Sequence, residues 1–279
     1  MCRVYRASLI ALLVLLPACS STFMYNQLDW LIPWYADDYV DLNREQTKSF
    51  KARLIPLLEW HRKDELPTYL PIVDGITADL DAPITEEVIS AWMAELELAY
   101  KRLEAHWLPM LLNVGDELSD AQIQELMDNL REEQEELQEE YLDRSEEDYV
   151  EDSYDNMADN LSDLLGRLST EQKQVLQDAA ENMQRFDSGW LQERQQWLDK
   201  MAVILQRDPG WQQVMKDEIA DQEANRDPTY TEAYEINQSL IFRAMAEVLN
   251  ARSEKQDKRL RREITDLRAD IVTLINQAE

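Results

Sequence analysis

Cysteine is nearly absent from the chain, with Cys2 and Cys19 the only two, so no disulfide framework can substitute for a hydrophobic core. Histidine is as scarce, with His61 and His106 alone. Carboxylate-bridged metal sites in helical bundles draw on Glu-x-x-His pairs from facing helices. Here the nearest acids, Glu59 and Glu104, each precede a histidine by two residues and so point to a different helix face. The stretch Asp143 to Asp148 lacks the glycine that a calcium loop needs for its turn. Nucleophile elbows, phosphate loops and dinucleotide fingerprints are missing too. The expectation is no metal, no cofactor and no enzymatic activity; paired carboxylates are so numerous that none of them is informative. Basic charge is short by a wide margin, since 28 Lys and Arg against 57 Asp and Glu leave a net charge of −29, which repels nucleic acid and anionic lipid surfaces. Only five glycines and nine prolines interrupt the chain. β-Branched residues are sparse and period-two alternation is nowhere sustained, which leaves helix as the favoured state at nearly every position.

What is present begins with an address. Arg3 and Arg6 precede the apolar run Ala7 to Leu16, and Pro17-Ala18-Cys19 follow it, the layout of a secretory signal peptide over residues 1–18. The run is too short to span a bilayer, which takes ~20 apolar residues. Leu16-Pro17-Ala18-Cys19 resembles the bacterial lipobox. That resemblance implies a diacylglyceryl group on the Cys19 thiol, cleavage before it and acylation, as by palmitate, of the new amine. The alternative is an ordinary signal peptide with Cys19 left as a free thiol. Each buried methylene contributes about 0.8 kcal/mol and stable anchoring takes at least two chains, so three hold a protein permanently. Ser20 stands where the inner-membrane retention signal carries Asp, and the implied destination is the periplasmic face of the outer membrane. Cleavage leaves 261 residues and, without Arg3 and Arg6, a charge of −31.

Residues 19–42 then form an aromatic-rich segment and 43–279 a helical domain. Tyr25, Leu28, Leu31 and Ile32 fall at helical spacing, while Trp30, Trp34 and Tyr35 suit a membrane interface; a first helix packed into the core is the other reading. A helix is expected from about Arg44 to Asp64, with Pro67 and Pro71 breaking or kinking it. Another runs from about Thr85 to Leu112, carrying Val88, Trp92, Leu96, Ala99, Leu103 and Trp107 on one stripe. Three helix starts repeat one pattern: Leu42-Asn43-x-x-Gln46, Leu118-Ser119-x-x-Gln122 and Leu168-Ser169-x-x-Gln172. Asn or Ser accepts from the first-turn N–H groups and Gln reaches back to the cap's own N–H. Gly115 and Gly166 lie just upstream, suited to ending the preceding helices in a left-handed conformation.

Ile123, Leu130 and Leu137 recur every seven residues, as do Leu176, Met183, Trp190 and Trp197, with Asp187-Ser188-Gly189 placed to bend the second rod. Asp208-Pro209 and Asp227-Pro228 open further helices. Leu260, Ile264, Leu267, Ile271 and Leu274 alternate by four and three, a coiled-coil seam suited to self-association. The expected fold is all-α, an elongated antiparallel helical bundle with a long C-terminal helix.

Two features exceed composition. Asp116 to Asp155 holds eighteen acids against Arg131 and Arg144, whereas Arg252 to Arg268 holds seven basic residues against four acids. The acidic run reads as a solvated face, as a surface for a basic partner, or as a dock for the chain's own basic segment. Trp60, His61, Arg62, Glu65 and Tyr69 cluster within ten residues, either as a buried corner with His61 and Glu65 paired at i, i+4 or as a recognition patch for a partner near the membrane.

The lipobox, Tyr25-Asn26-x-Leu28-Asp29-Trp30-Leu31, Trp60-His61-Arg62 with Glu65-Leu66-Pro67-x-Tyr69, and the Leu-Ser-x-x-Gln starts together resemble a family of helical proteobacterial lipoproteins of unknown function. That resemblance implies fold and location and no activity. The starts alone are similar to the Leu-Thr-x-x-Gln repeats of Spy-like and CpxP-like periplasmic chaperones, which are half this length and less acidic. The functional expectation is a lipid-anchored interaction or scaffold module, the alternative a holdase for periplasmic or outer-membrane clients. An enzyme with a scattered carboxylate site is the most distant option.

Overall fold

The computed structural model describes residues 18–222 and 224–277, the first four as backbone only. The signal-peptide expectation for residues 1–17 and the side chain of Cys19 lie outside the described residues. Among the described residues twelve segments are α-helical in chain order: α1 (Ala18–Tyr25), α2 (Leu28–Ala36), α3 (Arg44–Trp60), α4 (Leu66–Asp79), α5 (Glu86–Glu117), α6 (Asp120–Leu142), α7 (Glu146–Leu165), α8 (Thr170–Glu181), α9 (Asp187–Ile204), α10 (Trp211–Asp221), α11 (Pro228–Asn250) and α12 (Glu254–Asn276). No strand is present among the described residues, and the fold is an all-α bundle. No helix among them is long and apolar enough to cross a membrane.

Seven helix starts among the described residues carry a side-chain cap, from Asn43, Thr85, Ser119, Ser145, Ser169, Asp227 and Ser253. Asn43, Ser119 and Ser169 each complete a capping box with the glutamine three residues on, as their sequence pattern predicts. Ser145 with Asp148 and Ser253 with Gln256 make two more. A cap of this kind stabilises a helix by about 1 kcal/mol. The four glutamine boxes use their side chains twice and are joined in two pairs. Gln46 Nε2 donates to Gln122 Oε1 at 2.9 Å while Gln122 Nε2 donates back to Gln46 Oε1 at 2.8 Å. Each also reaches a backbone carbonyl two residues before the other's cap, Glu117 O at 2.7 Å and Asp41 O at 2.6 Å. Gln172 and Gln256 exchange the same pair of bonds at 3.3 and 2.9 Å and are almost fully buried. The Leu-x-x-x-Gln starts are therefore joints that fasten α3 to α6 and α8 to α12.

Helix α12 packs along α4, α7 and α1, α11 lies against α5 and α8, and α6 pairs with α9. The largest core gathers Ile89 of α5, Leu161 and Leu165 of α7, Leu176 and Ala180 of α8, Val248 of α11 and Leu260 of α12. A second core joins Leu112, Met127, Leu198, Trp211 and Met215. A third holds Tyr25, Leu66, Val73, Ile271 and Leu274.

Four expectations are corrected. The seam from Leu260 to Leu274 is not open to self-association, because Leu260, Ile271 and Leu274 are buried and Ile264 and Leu267 pack against the same two cores. The 4-3 pattern finds its partners inside the chain. The basic C-terminal segment does not dock on the acidic run either. Arg261 pairs with Asp81 and Asp257, Arg268 with Asp74, and Arg252 and Arg261 both donate to Leu80 O at the C-terminal end of α4, where unsatisfied carbonyls favour cations. The rod from Leu176 to Trp197 is two helices, with residues 182–186 between α8 and α9.

Gly115 does not end its helix, since α5 runs on to Glu117 and the positive-φ glycines are Gly166 and Gly210. It is small for another reason: a Cβ there would sit 2.9 Å from the ring carbon Cη2 of Trp211. That ring is pinned by Nε1 donating to Asp116 Oδ1 at 2.9 Å. Gly115→Ala is therefore expected to destabilise by about 1–2 kcal/mol through overpacking, although alanine is the better helix former by ~1 kcal/mol. Urea unfolding checks it, and an alanine variant as stable as wild type would show that the indole gives way.

Candidate functional site

The cluster from Trp60 to Tyr69 sits where the helix beginning at Arg44 meets Pro67. Pro67 has no N–H to donate and its ring would strike the carbonyl four residues back in a regular helix. The chain answers by widening. His61–Glu65 is a π turn in which Leu66 N–H donates to His61 O, five residues back, and α4 continues from it with Pro67 in its first turn and Pro71 inside it. Of the break or kink expected at Pro67 and Pro71, the chain shows no break: the helical path continues through a bulge.

The bulge directs His61 and Glu65 inward, at 6% and 2% exposure. The imidazole lies between two tyrosines, with Tyr25 Oη 2.8 Å from Nδ1 and Tyr69 Oη 3.3 Å from Nε2. A neutral imidazole offers one N–H and one bare nitrogen, so one hydroxyl accepts and the other donates. Burial lowers the His61 pKa to about 4, against an opposing pull from Glu65 and with a smaller contribution from Arg62. Burial likewise pushes the Tyr25 hydroxyl up to about 12 and raises that of Tyr69, so both remain O–H groups.

The expected pairing of His61 with Glu65 is not formed. Glu65 is gripped by Arg102 of α5, whose Nε lies 3.1 Å from both carboxylate oxygens and whose Nη2 lies 2.8 Å from Oε1. Thr68 completes that contact. Arg62 turns the other way, donating to Asn26 Oδ1 at 2.7 Å with its guanidinium 5.1 Å from the Tyr25 ring centroid. Asn26 in turn donates to Gln277 Oε1 at 3.0 Å, just past α12. Trp60 stacks on His106, ring centroids 3.4 Å apart and planes 13° apart, and His106 Nδ1 donates to Arg102 O at 2.9 Å.

All five sequence-predicted residues therefore meet in one corner, but His61 and Glu65 are interior and only Trp60, Arg62 and Tyr69 retain partial exposure. What the corner holds is Tyr25, the last residue of α1, and Asn26 after it. Sequence reasoning placed Tyr25 in a separate aromatic segment and gave Arg102 and His106 no part in the cluster. Among the described residues no group of three or more His, Cys, Asp and Glu is placed to hold a metal.

Residues 38–231, well over half of the chain, match the model of a family of unknown function, DUF6279. The chain belongs to that family. The DUF6279 match contains the π turn, Tyr69 and Arg102, and it begins after Tyr25 and ends before α12. No curated protein and no solved structure matches the chain.

Proposed function

We propose that the chain is a lipid-anchored, non-enzymatic interaction or scaffold module, carried on the periplasmic face of the outer membrane through acylated Cys19. The observation that carries this reading is the fastening of the residues just beyond Cys19. Tyr25 and Asn26 are bonded to His61, Arg62 and Gln277 within seven residues of the lipobox cysteine. A lipid on Cys19 is thereby coupled to the helical body without a flexible tether, which suits a module that must stand at a fixed place on the membrane. The acidic outer surface of α6 and α7 is the face offered to a partner, since the chain's own basic segment pairs elsewhere.

The Leu-Ser-x-x-Gln starts that support a Spy-like holdase are accounted for by helix capping and by the Gln46–Gln122 and Gln172–Gln256 joints, so the interaction module is preferred. Photo-crosslinking in cells from Glu136 on α6 and from Lys63 in the π turn separates the two. One or two stoichiometric partners are expected. A broad smear of unfolded secreted proteins would instead establish the holdase, and adducts to nothing above background would remove both.

A further inference from the structure

Large apolar side chains exposed to solvent are unevenly placed. Phe23, Met24, Trp30, Trp34 and Tyr35 are 64, 36, 54, 56 and 59% exposed, and the remaining exposed large hydrophobics, Ile55, Leu98, Leu111, Leu142, Val203 and Val214, are aliphatic and scattered. Every exposed aromatic among the described residues thus falls within residues 23–35. Trp30 and Trp34 stack on the outer side of α2, ring centroids 6.1 Å apart and planes 8° apart. The other side of α2 buries Pro33 and packs on α3. Phe23 lies in α1, four residues along the chain from Cys19.

We infer that this aromatic face is a membrane-contact surface, which seats the protein against the bilayer beside the lipid on Cys19 and sets the orientation of the helical body. The inference rests on the lipid-anchor reading above and adds to it a second contact. Three properties select a lipid surface as the occupant. Tryptophan and tyrosine prefer the headgroup level, where an amphipathic ring has one edge wet and the other apolar. The acyl chains on Cys19 hold the face at the bilayer whenever the anchor is inserted, so even weak contact is formed at high effective concentration. Asp29 lies among these residues, Asp37 and Asp38 follow them, and all three are exposed, which confines the contact to headgroup depth, since carboxylates are not drawn into the acyl region. The clasp of Tyr25 and Asn26 on the body then transmits that orientation to the rest of the molecule.

The test uses the acylated full-length protein extracted from membranes and reconstituted in vesicles of phosphatidylethanolamine with brominated phosphatidylcholine, compared with the Trp30→Phe/Trp34→Phe variant. Phenylalanine keeps the face apolar and removes its emission. Bromine is expected to quench part of the wild-type tryptophan fluorescence, and the variant is expected to lose that quenched part while keeping the rest. Intact mass of the same preparation reports the acyl chains on Cys19. Acylated protein with no bromine quenching overturns this inference and leaves the anchor standing. If iodide in the aqueous phase also fails to quench, the face is covered by protein and the inference is equally overturned. A membrane-extracted chain without acyl mass overturns the anchor reading, and the membrane contact with it.

Discussion

Arg144→Met is expected to destabilise the protein by about 3–5 kcal/mol, the range for stranding one partner of a buried ion pair, and to lower Tm by on the order of 10 °C for a chain of this size. Arg144 lies between α6 and α7, and its side chain is 13% exposed. Its Nε and Nη2 grip Asp187 at 3.0 and 2.7 Å, and its Nη1 reaches Asp152 at 2.7 Å. The guanidinium also lies 4.7 and 4.8 Å from the ring centroids of Tyr141 and Tyr149. Asp187, 3% exposed at the start of α9, is shared with Arg185, whose Nε donates at 2.9 Å. Arg185 also donates to Tyr141 O at 2.8 Å. The triad ties the α6–α7 joint to the α8–α9 joint, and methionine would leave a buried carboxylate with one cation in place of two. Adding Asp187→Leu is expected to recover part of the loss, because the stranded charge is then removed. Guanidinium unfolding decides it; a loss under 1 kcal/mol for Arg144→Met would show that Arg185 alone suffices.

The second large effect is in pH. His61 titrates at about 4 in the folded chain and near 6.5 unfolded. Above 6.5 the imidazole is neutral in both states and contributes no pH dependence. As pH falls from 6.5 to 4 the unfolded state takes up the proton first, so stability drops, and below 4 the loss is complete. At about 1.4 kcal/mol per pKa unit the imidazole accounts for about 3 kcal/mol over that window. Many carboxylates titrate in the same range, so the reading is a difference. His61→Gln removes the titration, and the stability advantage of wild type over His61→Gln is expected to shrink by about that amount between pH 7 and pH 4. A constant gap would mean that the imidazole is solvated and freely protonated, contrary to its place between Tyr25 and Tyr69.

Much of the fold is legible along the chain because its signals are local. A cap and the glutamine three residues on are read from four residues, and Asn43, Ser119 and Ser169 all start helices. Asp227-Pro228 opens α11 for the same reason. What escaped is long in sequence. Gln46 and Gln122 are 76 residues apart and each is already satisfied by its own cap, so nothing local announces that they also meet. Arg102 reads as one more charge on an exposed helix, and only the fold brings it to its carboxylate partner Glu65, 37 residues away in sequence. Gly115 carries the composition of a helix end but serves the Trp211 ring from 96 positions away. The five residues of the candidate site are legible as a group because they fall within ten residues of one another, whereas their role as a clasp depends on Tyr25, Asn26 and Gln277, which no spacing connects to them.

The most direct measurement is sucrose-gradient fractionation of cells expressing the wild-type chain and Cys19→Ser, with intact mass of each. The account predicts wild type in the outer-membrane fraction with acyl chains on a chain beginning at Cys19, and Cys19→Ser unprocessed or mislocalised. Cys19→Ser protein that is cleaved normally and still fractionates with the outer membrane would contradict it.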